Sequence, residues 1–463
     1  MEKIMYRING VIWGVPALVL ILGVGIYLSI RLRFVQITMF SQALRSFLSQ
    51  LFPGRDAHAR SSFRALCTAL AATVGTGNLV GVAGAICLGG PGAVFWMWIS
   101  GVLGMVTKYT EALLAVRYRI RSESGSAGGP MYMIRLGLPK KLHFLAWLYA
   151  AFGLLASFGV GNATQINAAI TGLEGCLEAY GKHLTPGYRL LITVLFAGLI
   201  FLMLYGGAKT VVSAAERLVP AAAAGYIVLC CGVLLINRQR IPDAFACIFR
   251  GAFSPRAVTG GVIGSAFRVL RVGCSRGVFT NEAGMGTASI AHAGAEGVHP
   301  VQQGLMGIME VFWDTIVICT LTALVILTSG VPVSFGKDAG ATLTAAAFSQ
   351  VYGRPAVLLL TLAMTLFALA TVLGWGLYGG RCSQFLFGEK AWRPYALLQI
   401  PAVFAGSFLE TAAVWQFSEA VNGLMAIPNL LTLAVLAPEA ARLTKEYRNP
   451  VHGTGGGNYA DFH

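Results

Sequence analysis

Long apolar runs separated by short basic connectors set the pattern of this chain. Residues 11–30, 190–205 and 356–377 approach or reach the roughly 20 residues that cross a bilayer as helix. Hydropathy resolves about eleven such segments, beginning near Ile12, Leu66, Ala93, Leu142, Arg189, Leu218, Gly260, Gly304, Pro355, Pro394 and Thr411. The first is expected to persist as a helix. It is too long for a cleaved signal, and no small-residue cleavage site follows it.

Two of these stretches are interrupted by glycine and polar residues. One reads Ala71-Ala72-Thr73-Val74-Gly75-Thr76-Gly77-Asn78; the other reads Arg276-Gly277-Val278-Phe279-Thr280-Asn281-Glu282-Ala283-Gly284-Met285-Gly286. Unwound backbone inside a bilayer has no water to satisfy it, so it survives only where it lines a cavity or is buried in protein. Gly75 and Gly77 remove side chains where main chain must approach a ligand. A glycine stripe also serves close helix packing; the second, matching break favours the site. Thr76 and Asn78 add a hydroxyl and an amide from the first break. Phe279, Thr280 and Asn281 are expected to line the pocket from the second, with Gly284 and Gly286 restarting the helix.

Composition agrees with the membrane. Of 463 residues 56% are hydrophobic and 11% charged, where a soluble domain carries about a quarter charged. Mean hydropathy is +0.69. The net charge of +15 is spread through connectors, which argues against a nucleic-acid surface. Arg31, Arg33, Arg45, Arg55, Arg60 and Arg64 follow the first span; Arg117, Arg119, Arg121, Arg135, Lys140 and Lys141 follow the third. Arg381, Lys390 and Arg393 follow the ninth, and Arg442, Lys445 and Arg448 the last. These are alternate connectors, which places the N-terminus outside and the C-terminus in the cytoplasm of a multi-pass cell-membrane protein. Arg238, Arg240, Arg250 and Arg256 depart from this, falling on the outer side. The nine cysteines have no metal spacing and read as buried thiols. The tail after Pro450 is glycine-rich and expected to be disordered.

With the first span set aside, ten remain, and the breaks head the first and sixth. That is the plan of a 5+5 inverted repeat with a discontinuous leading helix in each half. The expected division is 1–64 for the extra helix and its connector, 65–240 and 241–437 for the two repeats, and 438–463 for the tail. Half-helix N-termini attract a carboxylate, while half-helix C-termini and freed carbonyls attract cations.

Several strings resemble the sodium:alanine/glycine symporter family. They are Gly75-Thr76-Gly77-Asn78, Gly89-Gly90-Pro91-Gly92-Ala93-Val94-Phe95-Trp96-Met97-Trp98, Thr107-Lys108-Tyr109-Thr110-Glu111 and Gly128-Gly129-Pro130-Met131-Tyr132. The second half adds 276–284, Ile290-Ala291-His292-Ala293, Asp314-Thr315, Leu373-Gly374-Trp375 and 422–429. The resemblance implies an all-α LeuT-like fold and sodium-coupled symport of small neutral amino acids, alanine or glycine. Sodium is then the coupling ion, with no organic cofactor, no enzymatic activity and no obligatory protein partner. It further implies substrate ammonium at carbonyls near Phe279, carboxylate at amides near Gly77 and Asn78, and substrate contact at Gln165. Asn167 is a weaker candidate. Sodium is implied at carbonyls near Thr73 and Thr76 with the Thr371 hydroxyl; oxygen donors suit hard cations. The family usually shows Ser-Thr where this chain has Ala370-Thr371, and a Glu where it has Gly380.

Other ionisable groups carry open readings. Glu282 is either functional or one half of a structural pair, with Arg276 as a candidate partner. Lys108 and Glu111, three apart, share a helical face. Glu310 and Asp314, four apart, are read as structural. His292 and His299 flank a connector and are read as satisfied or solvated. A proton-coupled carrier of the same fold, with Glu282 or Glu310 as carrier, is the alternative. A channel fits less well because the breaks occur once per half of one chain. No nucleophile elbow, paired-His zinc motif or nucleotide loop points to an enzyme.

Overall fold

The computed structural model describes residues 14–51, 56–122, 125–337 and 340–449. The start of the first apolar run and the glycine-rich tail lie outside the described residues. The described residues are almost wholly helical. The first helix among them is α1, Val15–Arg31; an amphipathic helix α2, Phe40–Leu51, follows. Next come α3, Ala57–Thr73, and α4, Gly77–Gly89, two apolar helices bent by 52° across a short break. α5 covers Ala93–Arg117. A small antiparallel hairpin then pairs Ile120–Ser122 with Gly125–Ala127.

After the short α6, Pro130–Gly137, the first half closes with α7, Lys140–Ala179, α8, Pro186–Tyr205, and α9, Ala208–Ile236. α10, Ile241–Phe253, carries Asp243 in its first turn and Arg250 in its last, each sign matching the helix dipole. The second half has α11, Ala266–Asn281, and the short α12, Thr287–His292. These lead to α13, Pro300–Ser329, α14, Gly340–Tyr352, and α15, Pro355–Phe387. α16, Trp392–Phe408, and α17, Thr411–Arg448, are the last helices of the described residues.

Seven of these helices are long and apolar enough to cross a membrane, or eight if α3 and α4 are one bent span. Expected segments that fall short of that test are still helical: α1, α11 with α12, and α16 occupy their predicted places. The outer faces stay apolar, with Leu195, Leu202, Val228 and Leu235 all more than 60% exposed, as lipid contact requires.

The inner packing explains how the site is held. α5 runs against α11 and α13, while α15 lies against α7 and α9. Small residues permit close approach at the crossings. A Cβ on Gly161 would lie 2.3 Å from Cβ of Trp375, and one on Gly307 would lie 2.6 Å from the Lys108 carbonyl oxygen. Among the described residues three π-helical turns interrupt the regular winding, at Gly77–Gly81, Gly159–Ala163 and Phe312–Cys319. Such turns recur at functional sites because they free or redirect backbone groups.

Candidate functional site

The two breaks meet. α3 ends at Thr73, and Val74 turns extended, with φ −76° and ψ 95°. The freed Gly75 amide donates to Asn78 Oδ1 at 2.9 Å, so the side chain of α4 repairs the backbone just ahead of it. A Cβ on Gly77 would lie 3.5 Å from Thr280 Cγ2 and 3.9 Å from Phe279 Cδ1. The start of α4 therefore faces the end of α11.

The second break lies further along than the sequence suggested. α11 stays helical through Asn281, and the unwound stretch is 282–286. Glu282 is left-handed, with φ 53°, and Gly284 and Gly286 have φ of 94° and 77°. Glycine takes such angles freely; a glutamate there is strained by about 1–3 kcal/mol and must be held. Trp375 Nε1 donates to Glu282 Oε1 at 3.0 Å, and Thr287 Oγ1 donates to Oε2 at 2.7 Å. The helix restarts at Thr287 rather than at the glycines.

Between the breaks is a small buried cavity of about 20 Å³. Its wall includes Thr73, Gly75, Thr76 and Gly77 from the first break, Phe279, Thr280 and Glu282 from the second, Val160 and Gln165 from α7, and Thr371 and Trp375 from α15. Thr76 Oγ1 donates to Gln165 Oε1 at 3.1 Å. The Thr371 hydroxyl is buried without a hydrogen-bond partner. A Cβ on Gly75 would lie 2.7 Å from that hydroxyl and 3.9 Å from the Thr73 carbonyl oxygen. Two oxygens therefore converge on the one residue that has no side chain to block them. The Thr73 hydroxyl bonds back to the Ala69 carbonyl at 3.3 Å, leaving its carbonyl, not its side chain, as the candidate ligand.

Three expected lining residues are placed elsewhere. Asn78 donates from Nδ2 to Asp314 Oδ1 at 2.7 Å. Asn281 donates to Thr315 Oγ1 at 3.1 Å, and its Oδ1 accepts from the Ala283 amide at 3.0 Å. Thr315 Oγ1 in turn donates to Asp314 Oδ2 at 2.8 Å. These contacts form one chain from break to break, through Asp314 on the π-helical turn of α13. Gly284 also lies outside the wall: its amide donates to Glu111 Oε1 at 3.0 Å and its carbonyl accepts from Asn429. Unwinding frees backbone groups that nearby amides and carboxylates must satisfy; that task draws the Asn78 and Asn281 side chains away from the cavity and ties down the Gly284 main chain. Asn167 is likewise turned aside, donating to the Gly406 carbonyl at 3.1 Å.

Sequence spacing set Lys108 beside the wrong carboxylate. Lys108 pairs with Glu310 at 2.8 Å, not with Glu111. His292 is fully buried, where the sequence left it satisfied or solvated beside a connector. It shares Glu310 Oε2 at 3.0 Å and meets Gln303 Nε2 at 2.7 Å. Glu111 Oε1 accepts from the Gly284 and Gly286 amides and from Asn429 Nδ2, at 2.8–3.1 Å, and so brackets the second break. Glu310 and Asp314, four apart, serve different networks. Trp375, quoted only as part of a motif, both walls the cavity and anchors Glu282. A long-range partner leaves no local sequence signal. Among the described residues no cluster of three or more His, Cys, Asp and Glu side chains could hold a metal.

Comparison with known proteins sets this geometry in a family. A family model described as the sodium:alanine symporter family matches residues 1–455. The sodium/alanine symporter AgcS of Methanococcus maripaludis is 40% identical over 451 residues, covering 96% of this chain and 97% of that protein. The probable sodium/glutamine symporter GlnT of Bacillus subtilis is 35% identical over 452 residues, covering 96% and 91%. In fold, the chain is similar to the crystal structure of MhsT in complex with L-phenylalanine. That match has a TM-score of 0.53 at 15% identity and covers 82% of this chain and 97% of that one.

Proposed function

We propose that this chain, which belongs to the sodium:alanine symporter family, carries a small neutral amino acid such as alanine or glycine together with sodium into the cell by alternating access. The single observation that supports it best is the meeting of two helix breaks around a small polar cavity. The amides at the start of α4, near Thr76 and Gly77, suit a substrate carboxylate; the carbonyl end of α11, near Phe279 and Thr280, suits its ammonium. Thr76 and Gln165 add side-chain contacts. Phe279, Val160 and Trp375 leave little room for a substrate side chain.

Sodium is a second substrate, not a resident cofactor. The Thr371 hydroxyl and the Thr73 carbonyl fit it, since the first is buried and unpartnered and both converge on Gly75; the Thr76 carbonyl is a further candidate. Ala370 removes one hydroxyl that the family commonly has, so backbone oxygens carry more of the coordination here. Asn78, Asn281 and Gly284 act on this reading by holding the breaks. At about 20 Å³ the cavity holds little more than a water molecule. Seating alanine therefore requires α7 and α15 to move relative to the broken helices. Differential binding to open and closed forms is what drives such a cycle.

The same proposal covers organisation and orientation. Residues 1–64 add one membrane-crossing helix and its connector, up to the first turns of α3; 65–240 and 241–437 form two inverted repeats; and 438–463, which begin with the last turns of α17, lie in the cytoplasm. The N-terminus is outside. Radiolabelled alanine and glycine uptake into proteoliposomes tests the function. Accumulation should follow an inward sodium gradient. Uptake that follows an imposed pH gradient without sodium would replace sodium coupling with proton coupling, and uptake that never saturates would indicate a channel.

A further inference from the structure

The outer face of α9 carries charge that the transport cradle does not use. α8 and α9 are joined by Gly206 and Gly207 alone, and beside that turn a groove of about 760 Å³ runs along α9. Lys209, Ser213 and Arg217 line it at steps of four, so they share one helical face. At 1.5 Å of rise per residue, Ser213 stands about 6 Å along the axis from each cation. Lys209 and Arg217 are exposed. Among the described residues neither makes an ion pair, and none of the three side chains makes a hydrogen bond. The neighbouring Glu216 is taken by Arg64 of α3, at 2.8 Å.

The groove also has an apolar end and a defined depth. Leu218 and Ala221 continue its wall past Arg217, and Met203 of α8 adds to it. Residues 218–236, all uncharged, approach the roughly 20 that cross a bilayer as helix. Arg217 therefore stands at the edge of the hydrocarbon, with Lys209 further out among the headgroups. With the N-terminus outside, this is the cytoplasmic leaflet. Lys209 and Ser213 also wall a cavity of about 450 Å³ bounded by α3 and α15, so the groove and that cavity share the first turns of α9.

Lysine and arginine at this depth reach out to water and need no groove to do so. Here their side chains are long enough to meet over a serine hydroxyl, next to an apolar wall. A phosphate group takes donors of all three kinds and brings the negative charge this face lacks. A free phosphate gains nothing from Leu218 and Ala221, whereas an acyl chain covers them and removes apolar surface from water. We propose that this groove binds an anionic phospholipid, its phosphate at Lys209, Ser213 and Arg217 and an acyl chain along Leu218, Ala221 and Met203. The bound lipid steadies the first turns of α9, which the Arg64–Glu216 pair ties to α3. The site is independent of the transported substrate and of its coupling ion.

The test is retention of phosphatidylglycerol by the purified full-length protein in neutral detergent, counted by native mass spectrometry, with melting curves taken alongside. The parent should keep one phosphatidylglycerol more than the double variant Lys209→Gln with Arg217→Gln, and should melt higher in its presence. Phosphatidylcholine should do neither. Affinity should fall by about 5-fold in each single variant and about 30-fold in the double variant. Ala221→Trp, at an exposed position, fills the apolar end with the charge unchanged and should also lose the lipid. Without lipid all these variants should melt with the parent, since they remove no hydrogen bond or ion pair. Equal retention by the parent and the charge variants, or undiminished retention in Ala221→Trp, would overturn the site. So would phosphatidylcholine held as tightly as phosphatidylglycerol. A melting rise as large with inorganic phosphate alone would replace the lipid with a free anion.

Discussion

The two breaks solve the same problem in different ways. The first is light: two glycines, one side-chain amide returning to Gly75, and a threonine hydroxyl from α15 left without a partner. The second is heavily bracketed. Glu111 gathers two of its amides and Asn429, and Glu282 is held in a left-handed conformation by Trp375 and Thr287. The first break therefore keeps groups open to a ligand, while the second turns its polar groups inward to fix its own shape. On the proposed function, one half of the cradle is completed by what binds and the other is preformed. Asp314 joins them, accepting from Asn78 of one and, through Thr315, serving Asn281 of the other.

Substitutions can break or sharpen that contrast. The largest effect is expected at Gly75→Ala. Its Cβ would lie 2.7 Å from the Thr371 hydroxyl, inside the space assigned to sodium. Uptake should fall by about 100-fold or more, while the melting temperature without ligand shifts by only a few degrees. Glu111→Ala should do the reverse. It strands two amides and an asparagine, each costing about 1–3 kcal/mol, so the protein should melt well below the parent before any transport assay is meaningful.

Asp314→Asn comes next. It substitutes an N–H for one acceptor in the link between breaks, at an expected cost of about 2 kcal/mol. The apparent affinity for alanine should weaken by roughly 10- to 30-fold, with smaller change in maximal rate. Thr371→Val should lower sodium affinity by about 10-fold, read from the sodium dependence of alanine uptake. Stability in sodium-free buffer should be unchanged, since the hydroxyl has no protein partner. The smallest effect is expected at Asn167→Leu. Loss of its bond to the Gly406 carbonyl costs about 1 kcal/mol, visible by melting and absent from the sodium dependence.

The breaks were legible in the sequence because glycine and polar residues inside an apolar run weaken a membrane helix unless they line a cavity or a close packing face. Thr76, Gly77, Phe279 and Thr280 line the cavity from the breaks, and Thr73, Gln165 and Thr371, which the family resemblance pointed to, line it too. The direction of side chains was not legible. Asn78 and Asn281 stand beside the cavity in sequence, yet the freed backbone and Asp314 hold them away from it. Partners distant in sequence were equally hidden. Lys108 sits three residues from Glu111, but its ion pair is with Glu310, 202 residues on. Helical spacing reports which residues share a face of one helix; it carries no record of which other helix that face meets. The end of α11 was misjudged for a related reason. Glu282 is an unexpected residue for a left-handed cap, and it is held there by Thr287 and by Trp375 from another helix.

The central claim is that the facing breaks hold an amino acid and sodium together. Equilibrium binding of radiolabelled alanine to the purified protein, with sodium and with an impermeant organic cation in its place, tests it most directly. Saturable binding that requires sodium and is lost in Gly75→Ala is the predicted result. Binding of equal strength without sodium, or undiminished in Gly75→Ala, would contradict the account.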